Sequence, residues 1–111
     1  GNFLKYFDIA RSELFDSLGV DLFDFHDRTR YIFPIIRTNV KHIRPLRRGD
    51  EFLCRATVKE ARTKIVVAFE IRLVRDGLLC AKGSTEQVAV RLLEMEMAFT
   101  IPEEISRALG C

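Results

Sequence analysis

The chain has 111 residues, of which 48% are hydrophobic and 31% charged, and a net charge of +2 at pH 7. That length suits one domain with its own core, and six glycines and three prolines are too few for a disordered chain. The charge is too small to read nucleic-acid or anionic-membrane binding from bulk electrostatics. No apolar run approaches the ~20 residues of a membrane span, and no signal peptide is visible.

The first predicted element is a helix from Asn2 to a stop at Gly19. Asn2 is a good N-cap, and Gly19 suits the position just past a helix end. Phe3, Phe7, Ala10, Leu14 and Leu18 form one helical stripe, widened by Leu4, Tyr6 and Phe15. Val20 to Arg30 has no clean period and reads as an irregular connection, with room for one helical turn. Tyr31 to Ile43 is rich in β-branched and aromatic residues and reads as a strand, with Pro34 marking an edge position or a bulge. Pro45 and Gly49 end it.

Three further strands follow. Phe52, Cys54, Ala56 and Val58 alternate with Leu53, Arg55, Thr57 and Lys59. Ile65, Val67, Phe69, Ile71 and Leu73 alternate more strictly, and Asp76-Gly77 is a hairpin signal. Leu79 to Leu92 reads as the return strand. Pro102 then opens a short last helix that Gly110 closes. This order defines an α+β domain: a long helix covers one face of an antiparallel sheet, and the other face is polar or covered by a partner. Phe69 is expected to pack beneath Phe7, Ala10 and Leu14.

Cys54, Cys80 and Cys111 form no CxxC pair and have no His at ligand spacing, so no metal or redox cofactor is implied. They read as buried thiols of a reducing cytosol, which makes the expected location cytoplasmic. His26 and His42 are the only imidazoles, and a lone histidine at a strand end is more often structural.

Taken together, the segments "GNFLKYFDIARSELFDSLG", "IRPLRRGDEF", "ARTKIVVAFEIRLVRDGLLCAKGSTEQVAV" and "IPEEI" resemble the hotdog-fold acyl-CoA thioesterases, specifically the 4-hydroxybenzoyl-CoA thioesterase/YbgC-like branch. The resemblance implies a single hotdog domain over 1–111. It implies hydrolysis of a thioester of CoA or of an acyl carrier protein by a homodimer or homotetramer. In that branch a strand and a loop bearing a catalytic Asp precede the helix. Gly1 falls just past that point, so the domain is expected to be N-terminally incomplete relative to the family, and the Asp has no counterpart here.

Thioester hydrolysis places negative charge on the carbonyl oxygen, and helix N-terminal amides are suited to stabilise it. That gives the helix start around Asn2, Phe3 and Leu4 as the oxyanion pole, with Asn2 either a plain cap or part of the site. Tyr6 either fills the core or touches substrate. Some other hotdog branches use a helix carboxylate to activate water, and Asp8 is the candidate here. Flanked by Phe7 and Ile9, it would become a useful base if partly buried; the competing reading is a solvated acid paired with Arg11. CoA phosphates need cations, which that family supplies from strand ends and adjoining loops. Arg62 and Lys64, flanking Thr63, are the first candidates and Arg47 and Arg48 the second, against a plain solvated role for each. The rival function is a non-catalytic hotdog module that binds acyl-CoA or serves in assembly. A dehydratase is disfavoured by the lack of an HxxxG-type arrangement, and a nucleic-acid module by the lack of basic clusters with exposed aromatics.

Overall fold

The computed structural model describes residues 3–110. Helix α1 (Leu4–Ser17) follows Phe3, whose carbonyl accepts from the Tyr6 and Phe7 amides; the expected cap, Asn2, lies outside the described residues. The helix ends as its sequence predicts. Gly19 takes φ +74°, its N–H donates to the Asp16 carbonyl, and the Val20 N–H donates to the Phe15 carbonyl at 2.9 Å. Phe15 and Val20 are both buried, which closes this end with the apolar contact that such a turn favours. The buried stripe is narrower than the sequence suggests. Phe3, Phe7, Ala10 and Phe15 are buried, whereas Leu4 and Leu18, at the two ends, are exposed.

Val20 to Arg30 is more ordered than its irregular pattern implies. Leu22–Thr29 forms a helix, α2, because Asp21 caps it: the Asp24 N–H donates to Asp21 Oδ1 at 3.0 Å. Asp24 then pairs with Arg28 one turn on, and Arg28 reaches Glu104 at 2.5 Å. That bridge ties α2 to the last helix, α3 (Glu103–Ala108), which starts after Pro102 and stops before Gly110 at φ +91°.

The two long strands expected from Tyr31 and from Leu79 both break at the same level. The first divides into β1 (Tyr31–Ile32) and β2 (Ile35–His42) around Pro34, which has no N–H to offer a ladder. The return strand is correspondingly β5 (Leu79–Gln87) followed by β6 (Val90–Arg91). At the break the Phe33 carbonyl accepts from Gln87 Nε2 at 2.9 Å and the Pro34 carbonyl accepts from the Val88 N–H. The register shift between Ile35 and Arg37 is the bulge that Pro34 foreshadows. Beyond the break β1, β6 and β7 (Glu96–Met97) make a small antiparallel sheet.

The main sheet runs β2-β5-β4-β3, all antiparallel, with β3 spanning Phe52–Glu60 and β4 Ile65–Leu73. Asp76-Gly77 turns the β4–β5 hairpin, with Gly77 at φ +72° and the Leu78 N–H on Asp76 Oδ1. On the helix side Ile65, Val67, Phe69, Ile71 and Leu73 are buried. Phe69 stacks on Phe7 with ring centroids 4.4 Å apart and planes 8° from parallel. Gly83, opposite Phe69 on β5, makes this possible: a Cβ there would stand 2.7 Å from the Phe7 ring and 2.3 Å from the Asn39 carbonyl. On the other face of the sheet Arg55, Glu70, Arg72 and Lys82 lie exposed or half-buried, the polar surface that the alternation calls for.

Candidate functional site along the long helix

Two hollows flank α1. At its N-terminal end Phe3, Tyr6, His42, Leu46 and Phe52 enclose about 480 Å³. Tyr6 is half-buried there, edge-on to Phe52 at 4.9 Å, so its ring belongs to the core and its edge faces the hollow. His42 ends β2 with its ring 5.3 Å from that of Phe3. Farther along, α1, α2 and β1 enclose a cleft of about 440 Å³. Phe15, Val20, Leu22, Tyr31 and Phe33 give it an apolar wall, and Asp8, Arg11, His26 and Gln87 line its polar parts.

Of the two readings for Asp8, the structure has the solvated acid paired with Arg11 and not the partly buried one. Its side chain is 63% exposed and its Oδ1 accepts from Arg11 at 2.7 Å. The reason is helical geometry. Successive residues diverge by about 100° around the axis, so Phe7 turns into the core while Asp8 faces the cleft rim and Ile9 faces out. Arg11 is the more deeply held partner, 12% exposed, and also donates to the Thr85 hydroxyl of β5 at 3.3 Å.

The two cationic groups do not converge within one chain. Arg47 and Arg48 are exposed in the β2–β3 loop, where Asp50 Oδ2 accepts the Arg47 N–H, at the same end of the sheet as the start of α1. Arg62, Thr63 and Lys64 form the β3–β4 turn at the opposite end. The nine residues of β3 separate the groups, about 27 Å at strand rise. The turn also uses its own side chains. The Thr63 hydroxyl donates to Glu60 Oε2 at 2.5 Å, joined by the Thr63 and Lys64 amides. These bonds, the Thr63 hydroxyl first, hold the Glu60 carboxyl below its ordinary range. Lys64 Nζ pairs with Glu86 at 2.7 Å. Of the three, only Arg62 is left without a side-chain partner among the described residues. Asn2, the remaining candidate, lies outside them.

Two residues of the cleft are absent from the sequence reading, Gln87 and, as a site member, His26, and so is Thr85, which meets the cleft through Arg11; Arg11 itself enters that reading only as a partner for Asp8. His26 Nδ1–H donates to the Tyr31 carbonyl at 3.0 Å, which fixes that nitrogen as the protonated one in the neutral ring. Gln87 is buried, and its Oε1 has no partner among the described residues. A signal for the β5 pair exists in the register. Thr85 and Gln87 share parity with Ala81 and Gly83, so a strand whose helix-facing side starts small and apolar ends polar where the cleft lies. Among the described residues no cluster of three His, Cys, Asp or Glu is placed to hold a metal ion. Burial pushes the Cys54 thiol up to about 11, so it is not a thiolate nucleophile at neutral pH.

A single long helix laid on an antiparallel sheet, with its ligand-sized hollows alongside that helix, defines the hotdog class of α+β proteins. The chain belongs to the thioesterase superfamily, which residues 1–82 match. Among solved structures it is similar to a 1,4-dihydroxy-2-naphthoyl-CoA thioesterase from Synechocystis, at TM-score 0.84 and 21% identity over 96% of this chain and 78% of that one. It is also similar to a Staphylococcus aureus protein solved in complex with CoA, at TM-score 0.78 and 15% identity over 96% and 66% of the two chains. A gentisyl-coenzyme A thioesterase aligns at TM-score 0.77 and 20% identity over 98% and 83%. Identities this low establish the shared hotdog fold. A comparison with curated protein sequences found no match.

Proposed function

We propose that the protein acts on an acyl thioester of CoA or of an acyl carrier protein, with α1 as the working element. The observation that carries this reading is the position of the Asp8–Arg11 pair at the rim of an apolar cleft beside α1. Asp8 lies four residues into the chain from Leu4, about 6 Å along the axis from the helix start. The thioester carbonyl sits at the N-terminal pole around Asn2, Phe3 and Leu4, where the helix dipole favours its developing charge. Asp8 activates water from one turn away, and Tyr6 borders the acyl or pantetheine path. Arg47 and Arg48, at the same end, meet the CoA phosphates.

The protein works as a cytoplasmic homodimer or homotetramer. Antiparallel pairing of two β2 edges brings the Ile35 end of one copy beside the His42 end of the other. That geometry is how Arg62, Thr63 and Lys64 of a second copy approach a site from which the same chain's β3 keeps them distant. Among the described residues no helix is long and apolar enough to cross a membrane.

A second reading, a non-catalytic module that binds acyl-CoA, is favoured by the grip of Arg11 on Asp8 Oδ1. Turnover of an acyl-CoA panel, followed as released thiol, separates the two. General-base assistance is worth roughly 10²–10⁴-fold, so slow hydrolysis that Asp8→Asn abolishes, with a non-hydrolysable acyl-CoA thioether still bound, is the expected result. Fast hydrolysis unchanged by Asp8→Asn removes the assignment to Asp8. Thioether binding with no hydrolysis establishes the module.

A further inference from the structure

The face of the main sheet turned away from α1 takes no part in the site above. Its side chains fall into rows across the strands. Lys41, Lys82, Glu70 and Arg55 are successive cross-strand neighbours in one row, and Asn39, Ser84, Ala68 and Thr57 in the next. Arg37, Glu86 and Val66 continue a third, which meets Glu60 on β3, with Lys59 in the bulge beside it. The middle row is small, and the rows on either side carry long charged side chains at both ends, Lys41 and Arg55 on one and Arg37 and Lys59 on the other, which leaves a groove across the strands. A depression of about 470 Å³ lies over Asn39, Ala68 and Ser84, beside Lys41 and Lys82.

The acids of this face are already engaged: Glu70 with Arg72, Glu86 with Lys64, and Glu60 with the Thr63 turn. Five exposed cations, Arg37, Lys41, Arg55, Lys59 and Lys82, have no acid partner among the described residues. In a chain of net charge +2 this is a concentration of positive charge on one face.

We propose that this groove is a docking site for an acidic α-helix of a partner protein. Arg37 and Lys41, like Arg55 and Lys59, are four positions apart, so the cations flanking the groove stand about 13 Å apart at strand rise. A helix with its side chains is about 10–12 Å across and fits between them on the floor of small residues. From β2 to β3 the groove runs about 14 Å, close to three helical turns, so acids on both flanks of such a helix meet both banks. An extended polyphosphate chain is too thin to touch both banks at once. A single-stranded nucleic acid finds no aromatic side chain on this face to stack on. The same face of a second copy brings like charges together. The proposal is independent of whether the protein hydrolyses thioesters.

The test uses fluorescence anisotropy with a labelled 16-residue Ala/Glu helical peptide. A peptide of identical composition broken by two D-amino acids is the control, and inorganic polyphosphate is the competitor. The expected result is saturable binding of the helical peptide, at least tenfold tighter than the broken one. That binding should fall at least tenfold in Lys41→Glu/Lys82→Glu and again in Arg37→Glu/Lys59→Glu, with circular dichroism unchanged. All four substitutions are at exposed positions outside the proposed site. Equal binding of the two peptides, no binding, or displacement by polyphosphate at matched charge overturns the proposal. So do assemblies larger than the β2-paired dimer that disappear in Lys82→Glu/Lys59→Glu, which leaves β2 untouched, since a second copy would then occupy the face.

Discussion

Phe7 and Phe69 lie face to face across the helix–sheet interface, and Gly83 beneath them leaves no room for another carbon. The strict alternation of β4 makes Phe69 legible as a core residue, because one residue of slip would expose the whole set from Ile65 to Leu73. Phe69→Ala therefore costs ~3–5 kcal/mol in urea unfolding, and a loss below ~1 kcal/mol would contradict the register. Glu60 behaves differently. Its folded-state pKa is lowered, by the Thr63 hydroxyl above all. The stability it contributes is thus complete above its unfolded value of about 4.3 and is lost as pH falls through the lower folded value. Glu60 is only partly buried, so solvent screening keeps the effect small. Glu60→Gln should be less stable than the parent at pH 7, and the gap should narrow below about pH 4; a gap that is constant from pH 7 to pH 2 excludes the linkage. The Asp8–Arg11 pair is legible from its i, i+3 spacing, whereas the environment of Glu60 is not, since it depends on where the Thr63 turn points.

At the scale of elements, the clearest signals are those with a fixed backbone requirement. Gly19, Gly49, Gly77 and Gly110 all adopt positive φ, at the four stops and turns that the sequence marks. Helix α2 is harder to read, because its eight residues and their flanks, with three aspartates from Asp21 to Asp27, show no clean apolar period. Its signal is the cap rather than the stripe: Asp21 accepts the Asp24 N–H, and Asp24 and Arg28 pair a turn apart. Asp21→Ala should cost ~1 kcal/mol and loosen the wall of the cleft that α2 provides. Hydrogen exchange of the Asp24 and Phe25 amides reads this directly, and unchanged protection in the variant would show that packing of Phe25 alone holds the helix. The division of the two long strands was foreshadowed only on one side. Pro34 interrupts β1–β2, whereas nothing in Val88-Ala89 marks the matching break in β5–β6, which follows from losing its partner.

At the scale of the molecule, β2 is an outer strand of the main sheet, and its outward edge is unpaired among the described residues. Seven of its eight residues are exposed, including Ile35 and Ile36, and Ile43 just beyond it is exposed as well. An edge of that length with isoleucines at both ends, no proline within it and only Arg37 and Lys41 as charges has little protection against pairing with another strand. The economical way to satisfy it is a second copy, because a two-fold axis through the strand lets the same edge serve both chains. Antiparallel pairing would also continue the sheet without disturbing the α1 side, and would set the cleft of one chain beside the turn at Arg62 of the other. Static light scattering at micromolar concentration should therefore give at least twice the monomer mass. Replacing both Ile35 and Ile36 with lysine should shift the protein toward monomer by like-charge repulsion across the axis. A monomer in the parent protein at that concentration removes the paired edge, and with it the route by which Arg62, Thr63 and Lys64 reach a site at the start of α1.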